Sequence, residues 1–147
     1  MDVFRSLGIS GSALTAERLR LDVIANNLAN ANTTRTPGGG PYRRQMTVFA
    51  PAGESVQWMY PGVDGSADFR GRGVRVTSVV GDAAPFKRVY EPGHPDADAS
   101  GYVSMPNVNT VTEMVDLMAA TRAYEANVAA IAAAKSMAER ALEIGRA

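Results

Sequence analysis

Cysteine is missing from all 147 residues, which removes disulfides, thiolate metal sites and a cysteine nucleophile together. A single histidine, His94, is too little for a cluster of imidazole ligands and a poor start for a histidine-based triad. Excess charge of one sign is missing as well. Lys+Arg is 15 and Asp+Glu is 15, for a formal net charge of zero. The overall attraction that a nucleic-acid partner or an anionic membrane would use is therefore absent. No run approaches about 18 uncharged apolar residues, so direct insertion into a membrane is not expected. The start of the chain sets Asp2 close to Arg5 and has no apolar core, so it does not read as a cleavable secretory signal. What is present argues for folding. Hydrophobic residues make up 46% and charged residues 20%, which excludes wholesale disorder, and the length suits one sizeable core.

The two ends read as helices. Phe4, Leu7, Gly11, Leu14, Leu21, Ile24, Leu28 and Ala31 recur at three- and four-residue steps, with one step skipped near Glu17 and Arg18. That spacing belongs to a helix lying along another helix. Gly8 and Gly11 weaken its first part, since glycine costs about 1 kcal/mol in a helix. The C-terminal segment carries a longer seam: Met114, Leu117, Thr121, Tyr124, Val128, Ile131, Lys135, Ala138 and Leu142. Thr110 or Thr112 suits its N-cap, Glu113 and Asp116 suit its first turns, and Gly145 suits its stop. Lys135, Arg140 and Arg146 lie toward its C-terminal end, where the helix dipole favours cations. Val115, Met118 and Met137 fall on other faces and call for a partner beyond one neighbouring helix.

The middle is of opposite character. Thr36-Pro37-Gly38-Gly39-Gly40-Pro41 ends the first helix and reads as a flexible linker. It lacks the lysine and hydroxyl of a phosphate-binding loop. Short β-favouring runs follow at Gln45–Ala50, Val56–Tyr60, Val74–Val80, Phe86–Tyr90 and Tyr102–Met105. Alternation of Val74, Val76 and Ser78 with Arg75, Thr77 and Val79 predicts a strand with one covered face. The expected fold class is α+β: long terminal helices pairing in a coiled-coil-like manner, with a small β-rich insert between them. The expected division is 1–35 and 107–147 for the helical part and 36–106 for the insert.

Candidate chemical sites are few. His94 stands near Glu91, Asp96 and Asp98, a set that could hold a metal or move a proton. A small binding module or metal-dependent hydrolase centred there is the rival reading, but turn chemistry favours the same residues. Arg35, Arg43, Arg44, Arg70 and Arg72 could meet phosphates or carboxylates of a neighbouring subunit. Asn26, Asn27, Asn30 and Asn32 crowd one short stretch. They suit a helix end, or amides that fix the register of packed helices as a buried Asn does in a coiled coil.

With that stretch a resemblance emerges. Leu21-Asp22-Val23-Ile24-Ala25-Asn26-Asn27-Leu28-Ala29-Asn30-Ala31-Asn32-Thr33 resembles the N-terminal signature of bacterial flagellar rod and hook proteins. The Gly-aromatic pair usual in that family is replaced here by Thr34-Arg35-Thr36-Pro37. Gly73–Thr77, Pro85–Tyr90, Pro92–Ala97, Gly101–Asn109 and Glu113–Met118 are similar to the proximal-rod members, and Arg122-Ala123-Tyr124-Glu125-Ala126-Asn127 to the C-terminal helix of axial proteins.

The resemblance implies a structural, non-enzymatic subunit with no cofactor and no metal. It implies export by the flagellar type III apparatus without a cleaved signal, and polymerisation in a periplasmic rod that passes torque to the hook. Implied partners are copies of itself, other flagellar rod proteins, and components of the membrane ring and export apparatus, with no nucleic acid. The terminal helices would form the inner layer. The expected assembly residues are Leu21, Ile24, Leu28, Met114, Leu117, Tyr124, Val128 and Ile131, with Asn26, Asn27, Asn30 and Arg122 as register-fixing polar contacts.

Overall fold

The computed structural model describes residues 3–53 and 72–145. Helix α1 spans Val3–Ala29 and helix α2 spans Thr110–Ile144. Strands β1 (Gln45–Pro51), β2 (Val74–Gly81), β3 (Lys87–Tyr90) and β4 (Tyr102–Met105) lie between them in sequence. The fold is α+β. β1 pairs with β2 and β3 with β4, each as a separate antiparallel two-stranded sheet. The expected run Val56–Tyr60 lies outside the described residues.

Helix α1 is the hub. It packs along α2 and also touches β1 and β2, whereas α2 meets no other element among the described residues. Its deepest positions are Ala16, Val23, Ile24 and Asn27, with Leu14, Leu21 and Leu28 half-covered beside them. Beyond Ala29 the asparagines unwind the helix in steps. Asn30 Nδ2 donates to the Asn26 carbonyl at 2.9 Å and to Asn26 Oδ1 at 2.8 Å, and Thr33 Oγ1 donates to Asn30 Oδ1. These short amides take over as the backbone ladder ends.

Helix α2 starts at Asn109, not at the expected Thr110 or Thr112. Asn109 has extended geometry (φ −104°, ψ 109°), and its side chain accepts from the Val111 and Thr112 N–H groups. An amide oxygen held outside the helix reaches the orphan donors of the first turn, which a residue inside the helix does not. The helix stops before Gly145 as expected, but Gly145 stays right-handed (φ −75°) and its N–H bonds back to Ala141. The described last turn holds no basic residue, so no cation complements the dipole there.

The seam of α2 differs in register from the expected one. Its covered stripe runs through Glu113, Leu117, Ala120, Tyr124, Asn127, Ile131, Ala134 and Ala138. Leu117, Tyr124, Ile131 and Ala138 belong to both readings. At the alternate positions the small or polar Glu113, Ala120, Asn127 and Ala134 face α1, while Met114, Thr121, Val128 and Lys135 are exposed. Ala120 is fully covered and Ala134 nearly so, because alanine lets two helix backbones approach where a larger side chain would hold them apart.

The β1–β2 register slips between Val48, opposite Ser78, and Phe49, opposite Val76. Thr77 is the extra residue, and its hydroxyl donates to the Val48 carbonyl at 3.1 Å. The predicted alternation therefore holds for Val74 and Val76 and ends at the bulge; Ser78 is exposed. Gly73 brings β2 against α1. Its φ is +93°, and a Cβ there would overlap the Ser12 hydroxyl, which accepts from the Val74 N–H at 3.0 Å. Only glycine permits both the backbone and the approach.

The 36–41 segment is an ordered turn instead of a flexible linker. Thr36 N–H donates to the Gly40 carbonyl and Gly39 N–H to the Thr36 carbonyl, both at 2.9 Å. Between β3 and β4 the chain makes the expected turn-rich excursion, closed by Glu91 N–H on the Gly101 carbonyl. Asp98 organises it by accepting from the Ser100 and Tyr102 N–H groups and pairing with Arg88 at 2.6 Å. The Tyr102 N–H is the largest influence holding the Asp98 carboxyl below its usual range, with the Ser100 N–H and Arg88 adding to it against a desolvation cost.

Candidate assembly interface

A buried polar junction ties both helices to the insert. Asn27, near the end of α1, is 1% exposed and makes four hydrogen bonds. Its Nδ2 donates to the Gln45 carbonyl at 2.8 Å and to Glu113 Oε2 at 3.0 Å. Its Oδ1 accepts from the Gln45 N–H at 2.9 Å and from the Tyr42 hydroxyl at 3.0 Å. The amide uses both donors and both lone pairs, so burial leaves nothing unsatisfied.

Glu113, one turn into α2, is fully buried. Its Oε1 meets Arg44 Nε at 2.6 Å. Arg44 also reaches Asp116 at 3.4 Å and Asp82 at 3.7 Å. Burial alone would lower the Arg44 pKa, but the hydrogen bond and charge of Glu113, with Asp116 and Asp82, outweigh it and hold the guanidinium above its ordinary value. The Tyr42 hydroxyl is pushed up, by burial first and by the Glu113 charge second. Asn107 closes the junction: its Oδ1 accepts from the Arg44 N–H at 2.8 Å, and its Nδ2 reaches the Asp82 and Ala84 carbonyls.

Arg43 and Arg44 therefore serve within the chain. Arg43 donates to the Asp82 carbonyl at 2.6 Å and stacks over Phe86, its guanidinium carbon 4.4 Å from the ring centre. Arg70 lies outside the described residues, while Arg35 and Arg72 are exposed. An open groove of about 300 Å³ between α1 and β1 is lined by Arg20, Val23, Ile24, Met46, Phe49 and Asp116 among others. Arg20 and Asp116 pair across it at 3.9 Å.

The expected assembly residues divide into two groups. Ile24 and Asn27 are buried inside the chain, and Leu21, Leu28, Asn30, Leu117, Tyr124 and Ile131 are half-covered by it. Asn26, Met114, Arg122 and Val128 are exposed. Asn27 does fix register, but against Glu113 and β1 instead of another helix amide. Sequence reasoning did not single out Glu113 and Tyr42 as partners of Asn27, nor Asn107 as the residue that closes the junction on Arg44. The one available signal was a glutamate placed where the seam wants an apolar residue, followed by Asp116 one turn on.

Exposed apolar side chains lie at both ends of α2, with Met137, Leu142 and Ile144 near its C-terminus and a close-set group at its start. Val111, Met114, Val115 and Met118 are 68%, 53%, 55% and 56% exposed. At about 100° per residue they lie opposite the stripe that meets α1. No helix among the described residues is long and apolar enough to cross a membrane.

His94 sits in a turn. Its Nδ1 accepts from the Asp96 N–H at 3.1 Å, while Asp96 Oδ2 accepts from the Thr34 hydroxyl at 2.8 Å. Among the described residues no group of three or more His, Asp or Glu is arranged to hold a metal ion. The rival reading of a hydrolase or binding site centred on His94 finds no support in this geometry or in the relatives of the chain.

Residues 7–35 match the family described as flagella basal body rod protein, and residues 99–144 match the flagellar basal body rod FlgEFG protein C-terminal family. Flagellar basal-body rod protein FlgC of Borreliella burgdorferi is 50% identical, over 98% of this chain and 98% of its own length. The FlgC proteins of Bacillus subtilis and Salmonella typhimurium are 46% and 44% identical, each over 99% of this chain and 100% of their own length.

Proposed function

The chain belongs to the FlgC family of flagellar basal-body rod proteins, and from that premise we propose that it works by helix packing in the periplasmic part of the rod. It is a structural subunit of the flagellar basal body. Its role is mechanical, not enzymatic: it passes torque from motor to hook as one link among copies of itself and other rod proteins. Export without a cleaved signal, and contacts with the membrane ring and export apparatus, belong to the same proposal.

Residues 1–35 and 107–147 act as the helical layer and 36–106 as the outer insert. Helices packed side by side resist torsion because twisting shears many interlocked side chains at once. The polar junction of Asn27, Arg44 and Glu113 makes the insert turn with the helices. Half-covered Leu21, Leu28, Leu117, Tyr124 and Ile131 complete their burial against neighbours, joined by exposed Met114 and Val128 with Asn26 and Arg122 as polar contacts.

The observation that carries the proposal is the apolar face of α2 left open at Val111, Met114, Val115 and Met118. Its test is complementation of a bacterium lacking its own FlgC. The wild-type chain is expected to restore motility and to appear in isolated basal bodies. Val115→Asp is expected to be made at normal levels yet to be absent from them. Basal bodies containing the aspartate variant would refute this use of the face.

A further inference from the structure

We propose that the outer face of α2 docks on the outer face of α1 of a second copy of this chain, antiparallel, with Glu125 opposite Arg18 and Arg122 opposite Asp22. The inference rests on the rod reading and supplies the surface and register it lacks.

Both outer faces are open, and they differ in kind. On α1 the residues turned away from α2 include Gly8, Gly11, Arg18, Asp22, Ala25 and Ala29. Among the described residues a Cβ at Gly8 or Gly11 would meet nothing within 4 Å, so their packing does not ask for glycine at either position. Glycine costs helix stability, and a bare backbone lets another helix come close. On α2 the corresponding face is bulky and apolar from Val111 to Met118, then charged at Arg122 and Glu125, then small at Ala129 and Ala133.

The charges choose the direction. Arg18, Asp22, Arg122 and Glu125 are all exposed and make no ion pair among the described residues. Both helices read basic then acidic in chain order. Antiparallel packing sets Arg18 beside Glu125 and Asp22 beside Arg122, two attractions. Parallel packing over the same overlap sets arginine beside arginine and carboxylate beside carboxylate.

The same register then places Ala25 against Met118, Ala29 against Val115, and Gly11 against Ala133. Large side chains meet small ones, and the glycine meets an alanine. Within one chain Asn27 faces Glu113. The docked copy is offset from that register by three to four residues, roughly 5 Å along the axis. Because the two faces are different, each copy offers one of each, and addition continues in one direction without closing on itself.

A cysteine-free chain makes the test clean. Full-length Ala29→Cys/Val115→Cys is expressed in a bacterium lacking its own FlgC, and isolated basal bodies are oxidised and run without reductant. These two positions lie on opposite outer faces of one chain, so a disulfide between them reports a second copy. The expected result is a ladder of dimers and larger multimers. The off-register pair Ala29→Cys/Ala133→Cys is expected to give none. Arg18→Glu is expected to cut incorporation about tenfold, and added Glu125→Arg to restore it.

An incorporated Ala29→Cys/Val115→Cys protein without a ladder overturns this surface and leaves the rod role standing. Unchanged incorporation of Arg18→Glu does the same. Absence of the wild-type chain from basal bodies overturns the rod role and this inference together.

Discussion

Asn27 and Glu113 lie 86 positions apart in sequence and share a 3.0 Å hydrogen bond in the interior of the junction between helices and insert. The bond joins the end of α1 to the start of α2 where β1 begins. Three elements thus depend on one glutamate that is fully buried.

Removing that carboxylate is expected to cost more than any single apolar truncation nearby. Glu113→Ala leaves the Arg44 guanidinium with only its weaker partners and one Asn27 donor unpaired, a loss of about 3–5 kcal/mol. Glu113→Gln keeps an acceptor and the shape but removes the charge, for about 1–3 kcal/mol. Urea unfolding of both variants at neutral pH checks the order. Equal stabilities for alanine and wild type would mean that the junction contributes nothing net.

Tyr42 makes the junction sensitive to alkali. Its pKa stands above the ordinary value of 10.0 because burial and then the Glu113 charge disfavour the phenolate. The neutral hydroxyl, which donates to Asn27, is the form that the fold favours. Its contribution is complete below about pH 10 and is lost as pH rises through the raised value. Tyr42→Phe is expected to be less stable than wild type at pH 7 by about 1 kcal/mol and to lose less on the way to pH 11. Urea midpoints across that range measure it, and parallel pH profiles for the two proteins would contradict it.

The two terminal helices, the described strands and the α+β class were legible because each rests on local chemistry. Spaced apolar positions make the helices and β-branched runs between turns make the strands, whereas α1 ends at Ala29, at its asparagines and ahead of Pro37. The register of α2 was not legible, because the sequence holds two apolar stripes. The richer one, with Met114 and Val128, faces outward, and the inner one is built from alanine, Asn127 and a charged residue. Hydrophobicity ranks those inner residues low, although close helix approach selects alanine and a fully bonded network admits Glu113. Asn27 was visible as one of a crowd. Its partners were not, since pairing across 86 positions is a property of the fold.

Tyr124 and His94 separate packing from turn chemistry. Tyr124 is half-covered on the seam, so Tyr124→Ala removes a large ring from between two helices, for about 3 kcal/mol or somewhat less given its partial exposure. His94→Ala removes one hydrogen bond to the Asp96 N–H in a surface turn, for about 1 kcal/mol. At equal expression, motility is expected to fall sharply for Tyr124→Ala and little for His94→Ala. Loss of motility from the histidine variant alone would reverse the ranking.

The 36–41 turn sets where Tyr42 and Arg44 enter the junction. Gly39 and Gly40 have φ of +82° and +74°, and the turn is held by the two Thr36 bonds and by Tyr42 N–H on the Thr33 carbonyl at 2.9 Å. Two glycines inserted after Gly38 lengthen a loop whose ends stay tied, at a closure cost well under about 1 kcal/mol. Replacing residues 36–41 with alanine puts non-glycine residues into left-handed geometry, at about 1–2 kcal/mol each at positions 39 and 40, or opens the turn that places Tyr42 and Arg44. The insertion is expected to unfold in urea near the wild-type midpoint, and the alanine replacement well below it. Adding Glu113→Ala discriminates further: it is expected to cost its full amount in the insertion variant and much less in the alanine variant, where the junction is already broken. Full additivity in both would show that the turn and the junction are independent.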